Sequence, residues 1–183
     1  MFSQIIKLIL TRIFDGPSFE QAYAIIEQLA LALITTPIGV GLFILGMRRS
    51  ANVSLSPSSV LNYFSQMLPL FYTYILMSLM IFAGLILLVL PGIYLMFAYY
   101  LALPLVAEKG LKPWQALEAS RKAITHRWFS FFWLSILLTL IIFISMFPLI
   151  IGWIWTIPMS IIAYGIVYRN IFGIEQSTLT DEA

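Results

Sequence analysis

The chain contains no cysteine and a single histidine, and only 10% of its residues are charged. Without thiols there are no disulfides, thiol nucleophiles or thiolate metal sites. One histidine and no carboxylates clustered at ligand spacing leave no metal centre, no cofactor site and no nucleophile with a base beside it. Charge is scarcest where it would matter most, because Asp, Glu, Lys, Arg and His are all absent from residues 29–47, 69–107 and 129–168. Proton relays, ion-coupled transporters and voltage sensors depend on ionisable groups within the membrane, so none of these is expected. The formal charge of +2 is too small to point to nucleic acid. No catalytic residue is expected either.

What the chain has instead is apolar surface: 61% of its residues are apolar and its mean hydropathy is +0.97. Soluble domains run at about 45–50% apolar. At about 20 residues per spanning helix, 183 residues accommodate several spans and no soluble catalytic domain. The expectation is one all-α integral membrane domain over 1–183, a polytopic bundle of about five spans with amphipathic helices at the interface. The opening MFSQIIKLILTRIF carries Lys7 and Arg12 and no small-residue cleavage site, so no removable signal peptide is expected.

In chain order, Phe2 to Phe14 has apolar residues at three- and four-residue spacing, with Ser3, Lys7 and Thr11 opposite, the pattern of an interfacial helix. Asp15-Gly16-Pro17 breaks it, and Ser18 with Gln21 has the form of a capping box for the next helix. Span one is Leu29 to Met47, kinked at Thr35-Thr36-Pro37, where proline removes a backbone bond and the threonine hydroxyls can supply the freed carbonyls. Gly39 and Gly41 are expected to let another helix approach. Arg48-Arg49 ends the span. Ser56 and Pro57 then read as N-cap and first residue of a short surface helix, with Val60, Leu61, Phe64 and Leu68 toward lipid.

Pro69 opens span two, which runs to Leu90, and Pro91-Gly92 reads as the corner, through the fixed φ of proline and the positive φ open to glycine. Span three, Gly92 to Ala107, is about 24 Å long, short of a hydrocarbon core of about 30 Å. Pro104 is a defect near its end, and Glu108-Lys109-Gly110 terminates it. Pro113 starts an amphipathic helix with Trp114, Leu117, Ile124 and Trp128 roughly along one side and Glu118 paired with Lys122 on the wet side. Span four is Trp128 to Phe147, Pro148 turns the chain, and span five is Leu149 to Tyr168, with Pro158 inside it and Arg169 beyond it. Trp153 and Trp155 mark the outer interface.

Counting Lys and Arg beside the spans gives two in 48–68, five in 108–127 and one in the tail, against two in the N-terminal segment. This bias places the loop 108–127 and the C-terminus in the cytoplasm and the N-terminus outside.

Residues 89–134 resemble the hallmark region of a broad set of bacterial multi-pass membrane proteins. That set includes the YciC-like inner-membrane family and the membrane domain associated with some glycerophosphodiester phosphodiesterases. The shared features are a Pro-Gly-Ile corner (Pro91, Gly92, Ile93), a span ending in Ala-Leu-Pro-Leu (Ala102 to Leu105), an acidic-basic-Gly turn (Glu108, Lys109, Gly110) and an Ala-Leu-x-x-Ser helix (Ala116, Leu117, Ser120) leading to Trp128. The resemblance extends more loosely over all five spans. It implies a bacterial inner-membrane location and carries no established activity.

One segment has a positive chemical role to offer. Lys109, Lys112, Arg121, Lys122 and Arg127, beside Trp114 and Trp128, form a candidate surface for anionic lipid headgroups, each basic residue contributing about 1 kcal/mol near the membrane surface. The same residues also serve as orienting anchors. Glu108 with His126 is the sole acid-base candidate, and it has no supporting partners. Structural or lipid-interacting work in the membrane is the expected function, with membrane lipids as partners and an oligomer or protein partner left open. The alternative is a transporter or channel subunit for a neutral or apolar solute, because the helices interrupted by Pro37, Pro104 and Pro158 can expose backbone groups at mid-membrane.

Overall fold

The computed structural model describes residues 17–51, 53, 58–146 and 152–174, with side chains from Gln21 onward. The expected helix Phe2–Phe14, the break at Asp15-Gly16, the caps at Ser56 and Pro57, the turn at Pro148 and the polar tail lie outside the described residues. Among the described residues every regular element is helical.

Helix α1, Pro17–Ser50, opens on a proline, whose missing N–H is no loss at a first helical position. The helix is therefore under way by Ser18, which lies inside it rather than at its cap. It also continues through Pro37, which has no N–H to offer the Leu33 carbonyl. The neighbouring hydroxyls do not fill that gap. Thr35 Oγ1 donates to Leu31 O at 2.8 Å and Thr36 Oγ1 to Ala32 O at 2.6 Å, so both threonines bond back to their own preceding turn.

Helix α2, Ser59–Asn62, a 3₁₀ turn over Tyr63–Gln66 and helix α3, Met67–Leu87, follow in close succession. Pro69 falls in the first turn of α3, where donors are unpaired in any case. Leu61 and Leu68 are exposed as expected, but Val60 is half-buried against α1. A Cβ added at Gly41 would lie 2.7 Å from Val60 Cγ1, whereas one added at Gly39 would meet nothing within 4 Å. Close approach thus explains Gly41 and not Gly39.

The reversal between α3 and helix α4, Val89–Ala98, occurs at Leu88, the one extended residue there, with φ −161° and ψ 138°. This corrects the assignment of the corner to Pro91-Gly92. Both residues lie in the first turns of α4, and only Gly110 and Gly173 among the described glycines have positive φ. Pro91 is tolerated there because first-turn donors have no helical acceptor. Gly92 is buried, and a Cβ on it would come within 2.7 Å of the Leu85 backbone N, so its role is to let α3 and α4 approach.

A turn at Tyr99 to Leu101 separates α4 from helix α5, Ala102–Lys109. Because the helix begins before Pro91, the combined stretch Val89–Lys109 has 21 residues, about 31 Å at 1.5 Å each. The length deficit expected for this span disappears. Gly110, at φ 58°, ends α5 in the left-handed conformation. Pro113 is the first residue of helix α6, Pro113–His126, and Gln115 Oε1 accepts the N–H of the N-cap Lys112 at 3.4 Å. A bend of 93° at Arg127 leads into helix α7, Trp128–Ile144. Helix α8, Trp153–Phe172, closes the described chain.

Three stretches of the described residues are long and apolar enough to cross a membrane: Gln21–Ser50, Ser59–Leu87 and Val89–Lys109. A fourth is reached if the bent pair α6 and α7 counts as one span. The described residues are all-helical in their regular structure and have the long apolar helices of a membrane protein.

Helices α1 and α8 run side by side in the same sense. A Cβ on Gly165 would sit 2.8 Å from both Cα and N of Met47, and one on Gly46 would sit 3.0 Å from the Ile161 carbonyl carbon. Small residues at a membrane helix interface bring backbones together so that van der Waals contact replaces the absent hydrophobic drive. Beside this seam, Val40, Phe43, Ile44 and Met47 of α1 join Leu101, Leu105 and Tyr168 in the core.

Candidate functional site

The fold assembles three regions with chemistry of their own: a polar clasp at one end of the bundle, the basic segment on α6, and a cavity between α1, α3 and the α4–α5 break.

The clasp ties together the C-terminal ends of α1, α5 and α8. The buried Tyr168 hydroxyl donates to Glu108 Oε2. Lys109 Nζ donates to Phe172 O at 2.6 Å, which caps the last turn of α8 with a cation where the helix dipole favours one. Arg169 Nη1 donates to Ser50 O, so this residue works inside α8 and not beyond it, as the sequence had suggested. Arg48 is buried as well, and it and Glu108 both lie within electrostatic reach of the Tyr63 hydroxyl. Each of these ionisable groups flanks an apolar run in the sequence. Two of the charges, Arg48 and Glu108, are buried because several helix ends meet there and supply the partners that burial of charge requires.

Helix α6 is fixed to the bundle by its apolar and small residues. Ala116, Leu117, Ser120 and Ile124 are buried. Ser120 Oγ donates to Ala98 O at 2.7 Å, satisfying a carbonyl at the α4–α5 break, and Thr125 Oγ1 meets the Tyr94 hydroxyl. These two contacts make α6 antiparallel to α4. Leu117 is buried with Tyr99 and Ala102 and packs among Met77, Met80 and Ile81 of α3. Trp114 is mostly exposed and does not share the buried face with Leu117 and Ile124 as their spacing suggested. Trp128 is turned inward and stacks on Phe132 at 4.8 Å and 14°.

The five candidate basic residues take five different positions. Lys109 belongs to the clasp. Lys112 is exposed at the N-cap of α6. Lys122 pairs with Glu118 at 2.7 Å, as expected; this hydrogen bond and the lysine charge hold the Glu118 carboxyl below the usual carboxylate range. Arg121 lines a cavity of about 490 Å³ with Tyr94, Tyr99 and Trp114, between α4 and α6. Arg127 stands at the bend, exposed, over a cleft of about 290 Å³ between α7 and α8. Ser130 and Asn170 share its rim, and Phe131, Leu134 and Val167 line its apolar wall.

Glu108 and His126 are not brought together. Glu108 is buried in the clasp, while His126 is exposed at the far end of α6. Among the described residues no group of three or more His, Cys, Asp or Glu could hold a metal ion.

The third region went unread in the sequence as a site, although its parts were noted singly. A cavity of about 440 Å³ opens where Thr35, Thr36 and Gly39 of α1 face Tyr74 and Met77 of α3 across Tyr100 and Pro104. Of the proline interruptions expected to disturb the helices, Pro104 borders this space, and Pro37 is buried beside it without lining it. Pro158 of α8 does not contribute to it. Gly39 looks like the other span glycines in the sequence, and the open space beside it shows only in the fold. Set against known proteins, the chain matches no family model, no curated protein and no solved structure.

Proposed function

We propose that this protein is a lipid-interacting component of a bacterial inner membrane, a relative of the YciC-like set that residues 89–134 resemble, and that Arg127 holds an anionic headgroup at its cytoplasmic face. The observation that carries this reading is the α7–α8 cleft. It has a cation, a hydroxyl and an amide at its rim and an apolar wall below them. A phospholipid needs that combination: charge and hydrogen-bond donors for the phosphate, and apolar surface for the chain beneath it. Lys112 and Lys122 reinforce the local positive potential, and the clasp and the α6 packing hold the bend at Arg127 in place. The shared sense of α1 and α8, with the end of α5 bound to both, supports a five-span arrangement in which loop 108–127 and the C-terminus are cytoplasmic.

Native mass spectrometry of the purified protein with phosphatidylglycerol tests the reading. Arg127→Gln is expected to weaken retention by about 1 kcal/mol, roughly fivefold, at matched detergent and salt. Equal retention by both proteins would reject the headgroup site.

A further inference from the structure

The cavity between α1, α3 and the α4–α5 break is separate from the Arg127 cleft, and three features of it point to one class of occupant. The first is the absence of any Asp, Glu, Lys, Arg or His from its lining, so a charged ligand would be stranded there without a partner. The second is its hydrogen-bonding inventory. Pro104 has no N–H to offer the Tyr100 carbonyl, which lies in the turn between α4 and α5 at the cavity's edge. The Thr35 and Thr36 hydroxyl hydrogens are already used on Leu31 O and Ala32 O, which leaves their oxygens as acceptors. The cavity is thus richer in acceptors than in donors, and Tyr74 and Tyr100 are the hydroxyls that remain beside it.

The third feature is Gly39. Glycine inside a helix is less stable than alanine by about 1 kcal/mol, and the other glycines of the spans sit where a Cβ would strike a neighbour. At Gly39 a Cβ would meet nothing within 4 Å, and the residue borders the cavity. What the missing side chain preserves at this position is open space. Thr35, Met96 and Tyr100 are exposed at the mouth, which opens on the outer surface of the bundle. Met77 and Met96 give the walls adaptable side chains.

We infer that this cavity binds a single-chain, uncharged amphiphile bearing hydroxyl donors, of the monoacylglycerol type, entering sideways from the bilayer. The chain lies against the methionines and Ile81, and the hydroxyls donate to the threonine oxygens and the Tyr100 carbonyl. At about 440 Å³ the cavity falls in the lower part of the roughly 300–1,000 Å³ range of small-ligand pockets, which suits one chain and not two.

The test uses the full chain in lipid nanodiscs and a monoacylglycerol carrying a diazirine in its acyl chain. Saturable photolabelling is expected on the segments 35–43 and 74–81, displaced by unlabelled monoacylglycerol and not by the matching fatty-acid methyl ester, which lacks hydroxyl donors. Gly39→Phe fills the space and is expected to lower labelling about tenfold or more with the melting temperature unchanged, while Gly39→Ala retains most of it. Met77→Trp fills the cavity from the opposite wall and is expected to act like Gly39→Phe, so the result does not hang on one variant. Unsaturable labelling, equal displacement by the methyl ester, or labelling undiminished in both filled variants would overturn the inference. Loss of Arg127 leaves this labelling unchanged, which separates failure here from failure of the headgroup site.

Discussion

The Tyr168 hydroxyl donates to the Glu108 carboxylate across 60 residues of sequence, with both groups buried. This bond joins α8 to α5 at the end of the bundle where Arg169 joins α8 to α1. Removing its donor leaves a buried carboxylate short of one hydrogen bond, at a cost of about 1–3 kcal/mol. Tyr168→Phe is therefore expected to lower the melting temperature in detergent by about 2–4 °C per kcal/mol. Thermal unfolding followed by intrinsic fluorescence measures this, and an unchanged midpoint would show the bond to be dispensable.

Glycines that look alike in the sequence are expected to behave in opposite ways. Gly165→Ala forces a methyl group to within 2.8 Å of the Met47 backbone, and overpacking of this kind costs about 1–3 kcal/mol. Gly39→Ala meets no neighbour and gains helix propensity of about 1 kcal/mol. Melting temperatures of the two variants are expected to move down and up respectively. A parallel change would contradict the assigned seam.

Gly92→Leu is expected to lower the folded yield because the added side chain runs into Leu85 and its backbone N. Leu88→Ala changes the corner residue without crowding the α3–α4 contact and is expected to fold. Size-exclusion yields of the two variants measure this. Normal yield from Gly92→Leu would contradict the packing role.

The carboxyl of Glu118 is expected to titrate below the usual carboxylate range, because Lys122 donates to it and lies beside it. Its folded pKa is depressed, so whatever the pair contributes is present at neutral pH and is lost as pH falls through that folded value. Carbon-detected NMR titration follows the group directly. Lys122→Met is expected to return the midpoint toward the ordinary range, and a midpoint indifferent to that change would remove the lysine as the cause.

The features legible in the sequence were the local ones. The apolar runs marked the membrane helices, Gly110 and Pro113 marked a helix end and a helix start, and Glu118 with Lys122 declared itself by i,i+4 spacing. The corner at Leu88 was misplaced because Pro91 and Gly92 are turn formers that a first helical turn accepts equally well. The clasp was unreadable for a different reason. Glu108, Arg48 and Arg169 have the look of charges that end spans in water, yet the first two are buried and the third half-buried among helices far apart in the chain. The cavity likewise depends on Thr35 and Tyr100 meeting across two elements, which no local spacing encodes.

In the proposed arrangement α6 and the clasped ends of α1, α5 and α8 lie on the cytoplasmic side, where Arg127 can reach anionic headgroups. Because the chain has no cysteine, single substitutions Gln115→Cys and Gly173→Cys report each position separately. Both are expected to resist a membrane-impermeant maleimide applied to intact spheroplasts and to react once the membrane is opened. Labelling of either position from outside would contradict the arrangement and, with it, the proposed cytoplasmic headgroup site.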